Sequence, residues 1–77
     1  MPKLPVLKDK ELIKVLLKLG FKEHAESGSS HLVFKHPDGR RTTVARHPGK
    51  DIPNGTLKGI IRDISISTDQ LIKTLKK

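Results

Sequence analysis

The feature that most constrains the fold is a strand–turn–strand run in the middle of the chain. HLVFKH, residues 31–36, combines β-branched and aromatic side chains, and RRTTVAR, residues 40–46, is a second run of strand character. Between them Pro37, Asp38 and Gly39 supply turn chemistry, because proline sets φ and an Asp-Gly pair tolerates positive φ. The two runs are therefore predicted to pair as an antiparallel hairpin.

Helical patterns flank this hairpin on both sides. The run DKELIKVLLKLG, residues 9–20, places its apolar side chains on one helical face and ends in a glycine. After a loop rich in proline and glycine, residues 47–55, the run TLKGIIRDI repeats the helical spacing, and Thr56 is expected to cap its first turn. Ser67 and Gln70 have the spacing of a capping box, which predicts a short C-terminal helix.

A further strand is predicted before the hairpin. FKEHAES, residues 21–27, alternates weakly, and a turn is predicted at residues 28–30. The element order is then α-β-β-β-α plus the short C-terminal helix. Three antiparallel strands joined by tight links form a meander, one face of which two apolar-striped helices can cover. We therefore expect a single α+β domain over residues 1–77, built as a two-layer sandwich.

Charge and composition limit the partners that such a chain can bind. Sixteen Lys and Arg against eight Asp and Glu give a formal net charge of +8 on 77 residues, which favours a polyanion. No apolar run approaches the roughly 20 residues that span a membrane, and no signal-peptide pattern opens the chain, so we expect a cytoplasmic protein without a membrane partner. With no Trp or Tyr and two Phe, the chain lacks the exposed aromatic side chains that stack on single-stranded bases.

The positive charge is concentrated around the hairpin and the loop that follows it. Arginine dominates this region and matches phosphate geometry through two parallel hydrogen bonds. Asp38 is the one carboxylate among these cations. The residues predicted to bind phosphate are Lys35, Arg40, Arg41, Arg46 and Lys50.

Histidines are the candidate acid–base groups. His31 and His36 are five residues apart on one strand, so their side chains should point to opposite faces, and neither has metal-ligand spacing with His24 or His47. No metal or cofactor is expected. One imidazole beside cations is nevertheless enough to cleave RNA, because the 2′-hydroxyl is a built-in nucleophile. By composition alone, however, a surface or capping role is the more common one for a single histidine.

Two longer motifs resemble those of a known family. SHLVFKHPDGRR, residues 30–41, and HPGKDIPNGTLKGIIR, residues 47–62, closely resemble the HicA family of small bacterial and archaeal toxins, as does Leu-Gly-Phe at residues 19–21. The resemblance covers roughly residues 7–72. It implies a fold similar to the double-stranded-RNA-binding domain, which agrees with the element order predicted above.

The resemblance also implies an activity, a site and partners. Members of this family are mRNA interferases, and a Gly-Ser-His stretch that opens the second strand holds the histidine needed for RNA cleavage. Aligned back from residues 36–39, that role falls on His31, with Ser30 as the motif serine and Ser29 in place of the family glycine. The implied partners are mRNA and a HicB-like antitoxin that covers the active face. His36 is expected to shape the hairpin instead.

Three interpretations of function stay open at this point. The first is a metal-independent endoribonuclease that acts through His31, and the second is a non-catalytic module that binds structured RNA. The third is a protein-interaction module whose basic face meets an acidic partner. Strand alternation groups His31 with Val33 and Lys35, and Leu32 with Phe34, so either set could face the core. If Val33 faced the core, His31 would be partly buried and its pKa lowered.

Overall fold

A computed structural model describes residues 3–25, 31–45 and 49–76. These residues form helices and an antiparallel sheet in the order that the sequence predicts, which confirms the α+β fold class. The elements are α1 (Asp9–Lys18), β1 (Lys22–Ala25), β2 (His31–Lys35), β3 (Arg41–Ala45), α2 (Asn54–Asp63) and α3 (Thr68–Leu75). The sheet order is β1-β2-β3, so β2 is the central strand.

The helices cover one face of the sheet and enclose the hydrophobic core. Leu32 and Phe34 of β2 and Val44 of β3 lie in the same core cluster as apolar side chains of all three helices. Thr42 is buried on this side as well, and its hydroxyl donates to the Asp63 carboxylate of α2 at 3.1 Å. The predicted two-layer arrangement of sheet and helices follows from this packing.

The end of α1 and the β2–β3 turn pack against each other. Gly20 has a φ of +97°, and a Cβ built on it would lie 3.1 Å from Nε2 of His36. The His36 ring meets the Phe21 ring edge-on, with 5.0 Å between ring centroids. Gly20 and His36, which belong to separate sequence motifs, therefore lie close together, and an alanine at position 20 would suffer both positive-φ strain and crowding.

The turn itself has the chemistry that the sequence indicates. The Gly39 N–H donates to the His36 carbonyl at 2.9 Å, and the His36 N–H donates to the Arg40 carbonyl at 2.8 Å. Gly39 has a φ of +100°, which a glycine adopts without steric cost. The hairpin between β2 and β3 is thereby closed in a single register, with Lys35 opposite Arg41 and His31 opposite Ala45.

Two local expectations have different outcomes at the helix starts. Ser67 caps α3, because its Oγ accepts from the Gln70 N–H at 3.0 Å. The expected capping role of Thr56 is wrong, because α2 begins two residues earlier, after Pro53, and has no side-chain cap. The turn predicted at residues 28–30 lies outside the described residues.

Candidate nucleic-acid interface

The structure decides which side of β2 faces the core. Leu32 and Phe34 point to the helices, and alternation therefore places His31, Val33 and Lys35 on the opposite side. We call this second side the open face. It consists of the strand residues Lys22, His24, His31, Val33, Lys35, Arg41, Thr43 and Ala45. His31 is consequently exposed rather than partly buried beneath the helices.

Three cations form a row across one end of the open face. Lys22 on β1 lies directly opposite Lys35 on β2, which in turn lies directly opposite Arg41 on β3. All three are exposed, and no salt bridge within the described residues joins any of them to a carboxylate. We call them the cationic row. Like charges placed directly opposite each other destabilise a sheet, so folding alone does not account for this arrangement.

The open face carries no described carboxylate to offset that charge. Alternation places Glu23 of β1 on the other side of the sheet from Lys22 and His24. The remaining strand positions of the open face are neutral or histidine. A polyanion lying on this face would therefore meet positive charge without a competing acidic side chain.

His31 lies at the opposite end of the open face from the cationic row. It is four residues from Lys35 on the same strand, a distance of about 13 Å at the usual rise of a strand. Lys50 lines a cavity of about 130 Å³ with Ala45, the cross-strand partner of His31, but Val44 and Ile60 line it too. Lys50 therefore lies beside the end of β3 and toward the helical layer rather than on the open face. Arg46, predicted to bind phosphate in the same region, lies outside the described residues.

Arg40 has a different position from the other predicted phosphate-binding residues. Its guanidinium donates to the Ile64 carbonyl at the end of α2 and to the Asp38 carboxylate, with 2.7 Å between Nε and Oδ2. It also lies over the Phe21 ring, 5.2 Å from the centroid. These contacts connect the hairpin to the helical layer. Arg40 therefore stabilises the packing of the two layers, a role that the sequence pattern does not indicate.

Asp38 is held in its charged form by the same turn. The Arg40 backbone N–H donates to Oδ1 at 3.0 Å. This hydrogen bond, followed by the hydrogen bond and the charge of the Arg40 side chain, lowers the pKa of Asp38 below its ordinary value of 3.8, and a charged His36 lowers it further. The one acidic residue among the predicted cations is thus already paired and offers little opposition to a bound anion.

The two other described histidines occupy unlike places. His36 is in the turn, where its Nδ1 lies 3.1 Å from the Asp38 N–H and 3.0 Å from the Asp38 carboxylate. The first contact suits a neutral ring and the second a protonated one, and both hold His36 to the turn, as expected from the sequence. His24 is exposed on the open face. Within residues 3–25, 31–45 and 49–76, no three His, Cys, Asp or Glu side chains gather in a way that could hold a metal ion.

No Phe, Tyr or Trp ring is available for stacking on this face. Both phenylalanines of the chain, Phe21 and Phe34, are buried in the core. Of the described rings on this face, those on which a base could stack are the imidazoles of His24 and His31. Contact with a nucleic acid would therefore depend mainly on phosphate and sugar groups. None of the helices in the described parts of the chain is long and apolar enough to cross a membrane.

The fold and the face together define a class, a small basic α+β protein whose element order is consistent with the double-stranded-RNA-binding domain. A family model described as the HicA toxin of bacterial toxin-antitoxin matches residues 10–66. The chain therefore belongs to the HicA family and is a toxin of a toxin–antitoxin system, which implies an antitoxin partner. A search of curated proteins found no match.

Sequence reasoning missed two members of the open face, Lys22 and His24. The alternation of β1 already groups them on one side, away from Phe21 and Glu23. What the sequence lacked was the register of β1 against β2, which determines that Lys22 lies opposite Lys35 and that His24 lies opposite Val33. The sequence pattern does not show at which residues β1 ends and β2 begins, so the pairing register of the two strands cannot be predicted from it.

Proposed function

We propose that this toxin is a metal-independent endoribonuclease that cleaves mRNA and that His31 is its general acid–base residue. The observation that carries the proposal is the exposure of His31 on the same sheet face as the cationic row. An imidazole can accept or donate a proton near neutral pH. Here it is exposed on the face across which a polyanion would bind.

The chemistry needs only groups that RNA and this face supply. His31 takes the proton of a 2′-hydroxyl, and the 2′-oxygen attacks the adjacent phosphorus. The bond from phosphorus to the 5′-oxygen breaks, and the 5′-oxygen leaves with one proton taken from solvent or from a second acid. The products are a 2′,3′-cyclic phosphate and a 5′-hydroxyl end. Nearby cations stabilise the extra negative charge on the phosphorane.

The cations of the face have the role of holding the RNA chain. The distance of about 13 Å between His31 and the cationic row is more than one phosphate can bridge, which favours a polymer over a mononucleotide. Arg40 adds positive potential while it holds the turn. The residues proposed to contact phosphate are the five indicated by the sequence, Lys35, Arg40, Arg41, Arg46 and Lys50, together with Lys22.

The direct test compares wild type with His31→Ala on labelled RNA in the presence of EDTA. Loss of a general acid–base residue typically costs about 10²–10⁴-fold in rate, and we expect a loss of this size. Thr43→Ala, an exposed change on the same face, is the matched control and should cleave at the wild-type rate. Equal cleavage by wild type and His31→Ala would remove His31 from the mechanism. Growth arrest on expression, abolished by His31→Ala, is the corresponding measurement in cells.

A non-catalytic RNA-binding function is the second candidate. The cationic row favours it, as does the burial of both phenylalanines, because duplex RNA is recognised through its shape, its phosphates and its 2′-hydroxyls. This function predicts salt-sensitive binding, a preference for duplex over single strand, and no cleavage products at any protein concentration. The cleavage assay therefore separates the two candidates.

We also propose that the antitoxin is HicB-like and covers the open face. A partner with acidic side chains would complement the cationic row and exclude RNA at the same time. The expected result is that the purified antitoxin suppresses cleavage, and that Arg41→Glu weakens its binding. Undiminished binding to Arg41→Glu would place the antitoxin on another surface.

A further inference from the structure

A second imidazole lies beside His31 on the open face. His24 of β1 is directly opposite Val33 of β2, and His31 is two residues from Val33 on the same side of β2. His24 and His31 are therefore diagonal neighbours on adjacent strands, a relation that places two residues about 7–8 Å apart and within reach of long side chains. Both are exposed.

The groups around His24 are those of an anion site. On its own strand Lys22 lies two residues away on the same face, and across on β2 the diagonal neighbours are His31 and Lys35. Thr43 of β3 is separated from His24 by Val33 and is not part of this site. Lys22 and Lys35 lie on the far side of His24 from His31. When the scissile phosphate of an RNA chain lies between the two imidazoles, these lysines are therefore placed to hold a neighbouring phosphate of the same chain.

His36, by contrast, is held by the turn and by the Phe21 ring. It lies next to the cationic row and not between that row and His31. Of the described histidines, His24 is thus the one that the strand register brings to His31.

We propose that His24 is the general acid of the reaction in which His31 is the general base. This inference rests on the endoribonuclease function proposed above. As the 2′-oxygen bonds to phosphorus, the protonated His24 gives its proton to the departing 5′-oxygen. His31 is left protonated and His24 neutral, and exchange of one proton with water restores both. No oxidant, reductant or metal takes part.

Two proton-transfer groups suit the geometry of this displacement. The entering and leaving oxygens are roughly in line on opposite sides of the phosphorus. A single ring has to turn or shift to serve both oxygens, whereas two rings on neighbouring strands can approach them from two sides. Positioning on strands rather than on a loop also keeps the two imidazoles at a set separation.

The experiment uses two substrates that differ only in their need for an acid. One is a diribonucleotide, whose 5′-alkoxide is a poor leaving group and requires a proton. The other is the same nucleoside 3′-(4-nitrophenyl phosphate), whose nitrophenolate leaves without one. Rates are measured for wild type, His24→Gln, His24→Ala and His31→Ala, with Thr43→Ala as a control on the opposite flank of Val33. Circular dichroism and thermal unfolding establish that each variant is folded.

The expected result is a selective defect. Both His24 variants lose about 10²–10⁴-fold on the diribonucleotide and stay within a few fold of wild type on the nitrophenyl ester. His31→Ala loses activity on both substrates, because both need the 2′-hydroxyl deprotonated. Thr43→Ala cleaves both like wild type.

The other outcomes overturn the inference in distinguishable ways. If the His24 variants cleave both substrates at the wild-type rate while His31→Ala is inactive, His24 takes no part and the endoribonuclease function stands. If they lose equally on both substrates, His24 binds phosphate and is not the acid. If the nitrophenyl ester is insensitive to His31 and sensitive to His24, the two roles are reversed. If the wild type cleaves neither of these substrates nor the labelled RNA, the inference fails together with the proposed function.

Discussion

The two faces of the sheet are made from alternate residues of the same short strands, yet they have opposite properties. On the helical side Phe34 and Val44 are 0% and 1% exposed and pack with the helices. On the open face Lys35, one residue from Phe34, and Arg41, three residues from Val44, are exposed and directly opposite each other. One face thus lowers the free energy of the folded state, whereas the other carries charge repulsion that a bound polyanion would relieve.

Truncating neighbouring residues on the two faces tests whether they differ in their contribution to stability. Phe34→Ala should lower the free energy of unfolding by about 3–5 kcal/mol, because it leaves a large cavity in the core. That is a large part of the roughly 4–12 kcal/mol typical of a chain of 77 residues. Lys35→Ala, at the next position, should change it by less than about 0.5 kcal/mol. Urea unfolding measures both, and equal losses would mean that the open face also stabilises the fold.

Two triple variants with the same loss of charge test whether the open face, rather than the helical side, binds RNA. In a His31→Ala background, all three residues of the cationic row are changed to glutamine. The slope of log affinity against log salt concentration should then become shallower by about 2, because each lost phosphate contact with a single strand removes about 0.7. The control variant carries the same loss of charge on the helices, at Lys14, Lys58 and Lys73, which are exposed. A slope that changes equally in both variants would show that net charge, rather than the open face, binds the RNA.

The smallest expected effect is at the turn that joins the two faces. The folded-state pKa of Asp38 is below its ordinary value of 3.8, so its contribution to stability is complete above that value and is lost as the pH falls through the folded-state pKa. Asp38→Asn should therefore be less stable than wild type at pH 7, and the difference should shrink as the pH falls below 3.8. Urea midpoints at several pH values measure this. In an Arg40→Gln background the same change should matter less, and an undiminished effect would assign the stabilisation to another partner.

Much of the fold could be predicted from local signals. The helix ending in Gly20, the Pro-Asp-Gly turn and the capping serine at Ser67 each satisfy a requirement set by neighbouring residues, and all three occur as expected. Thr56 shows the limit of that reasoning. The structure begins α2 at Asn54, directly after Pro53, whose backbone is extended, and no side chain caps the helix. A residue suited to capping was simply not at the helix start.

The candidate site was harder to predict, for two physical reasons. Leu32, Val33 and Phe34 are all buried, at 7%, 7% and 0% exposed, so three apolar residues in succession hide the alternation that would reveal the inner face. In the sequence Arg40 is one more cation of the basic region, but in the structure its guanidinium donates to the Ile64 carbonyl, 24 residues further along the chain. No local pattern contains a contact over such a separation.

The sequence by itself determined the α-β-β-β-α order and the excess of positive charge, and its resemblance to the HicA family implied His31 as the candidate acid–base residue. The order and the charge depend on side-chain chemistry and short-range periodicity, which the chain carries before it folds. Only the tertiary structure decided that His31 lies on the open face, and that Lys22 and His24 join it there from another strand. Strand register and the choice of the covered face arise from packing between distant segments, because burial of the apolar side in the core leaves the other side to solvent.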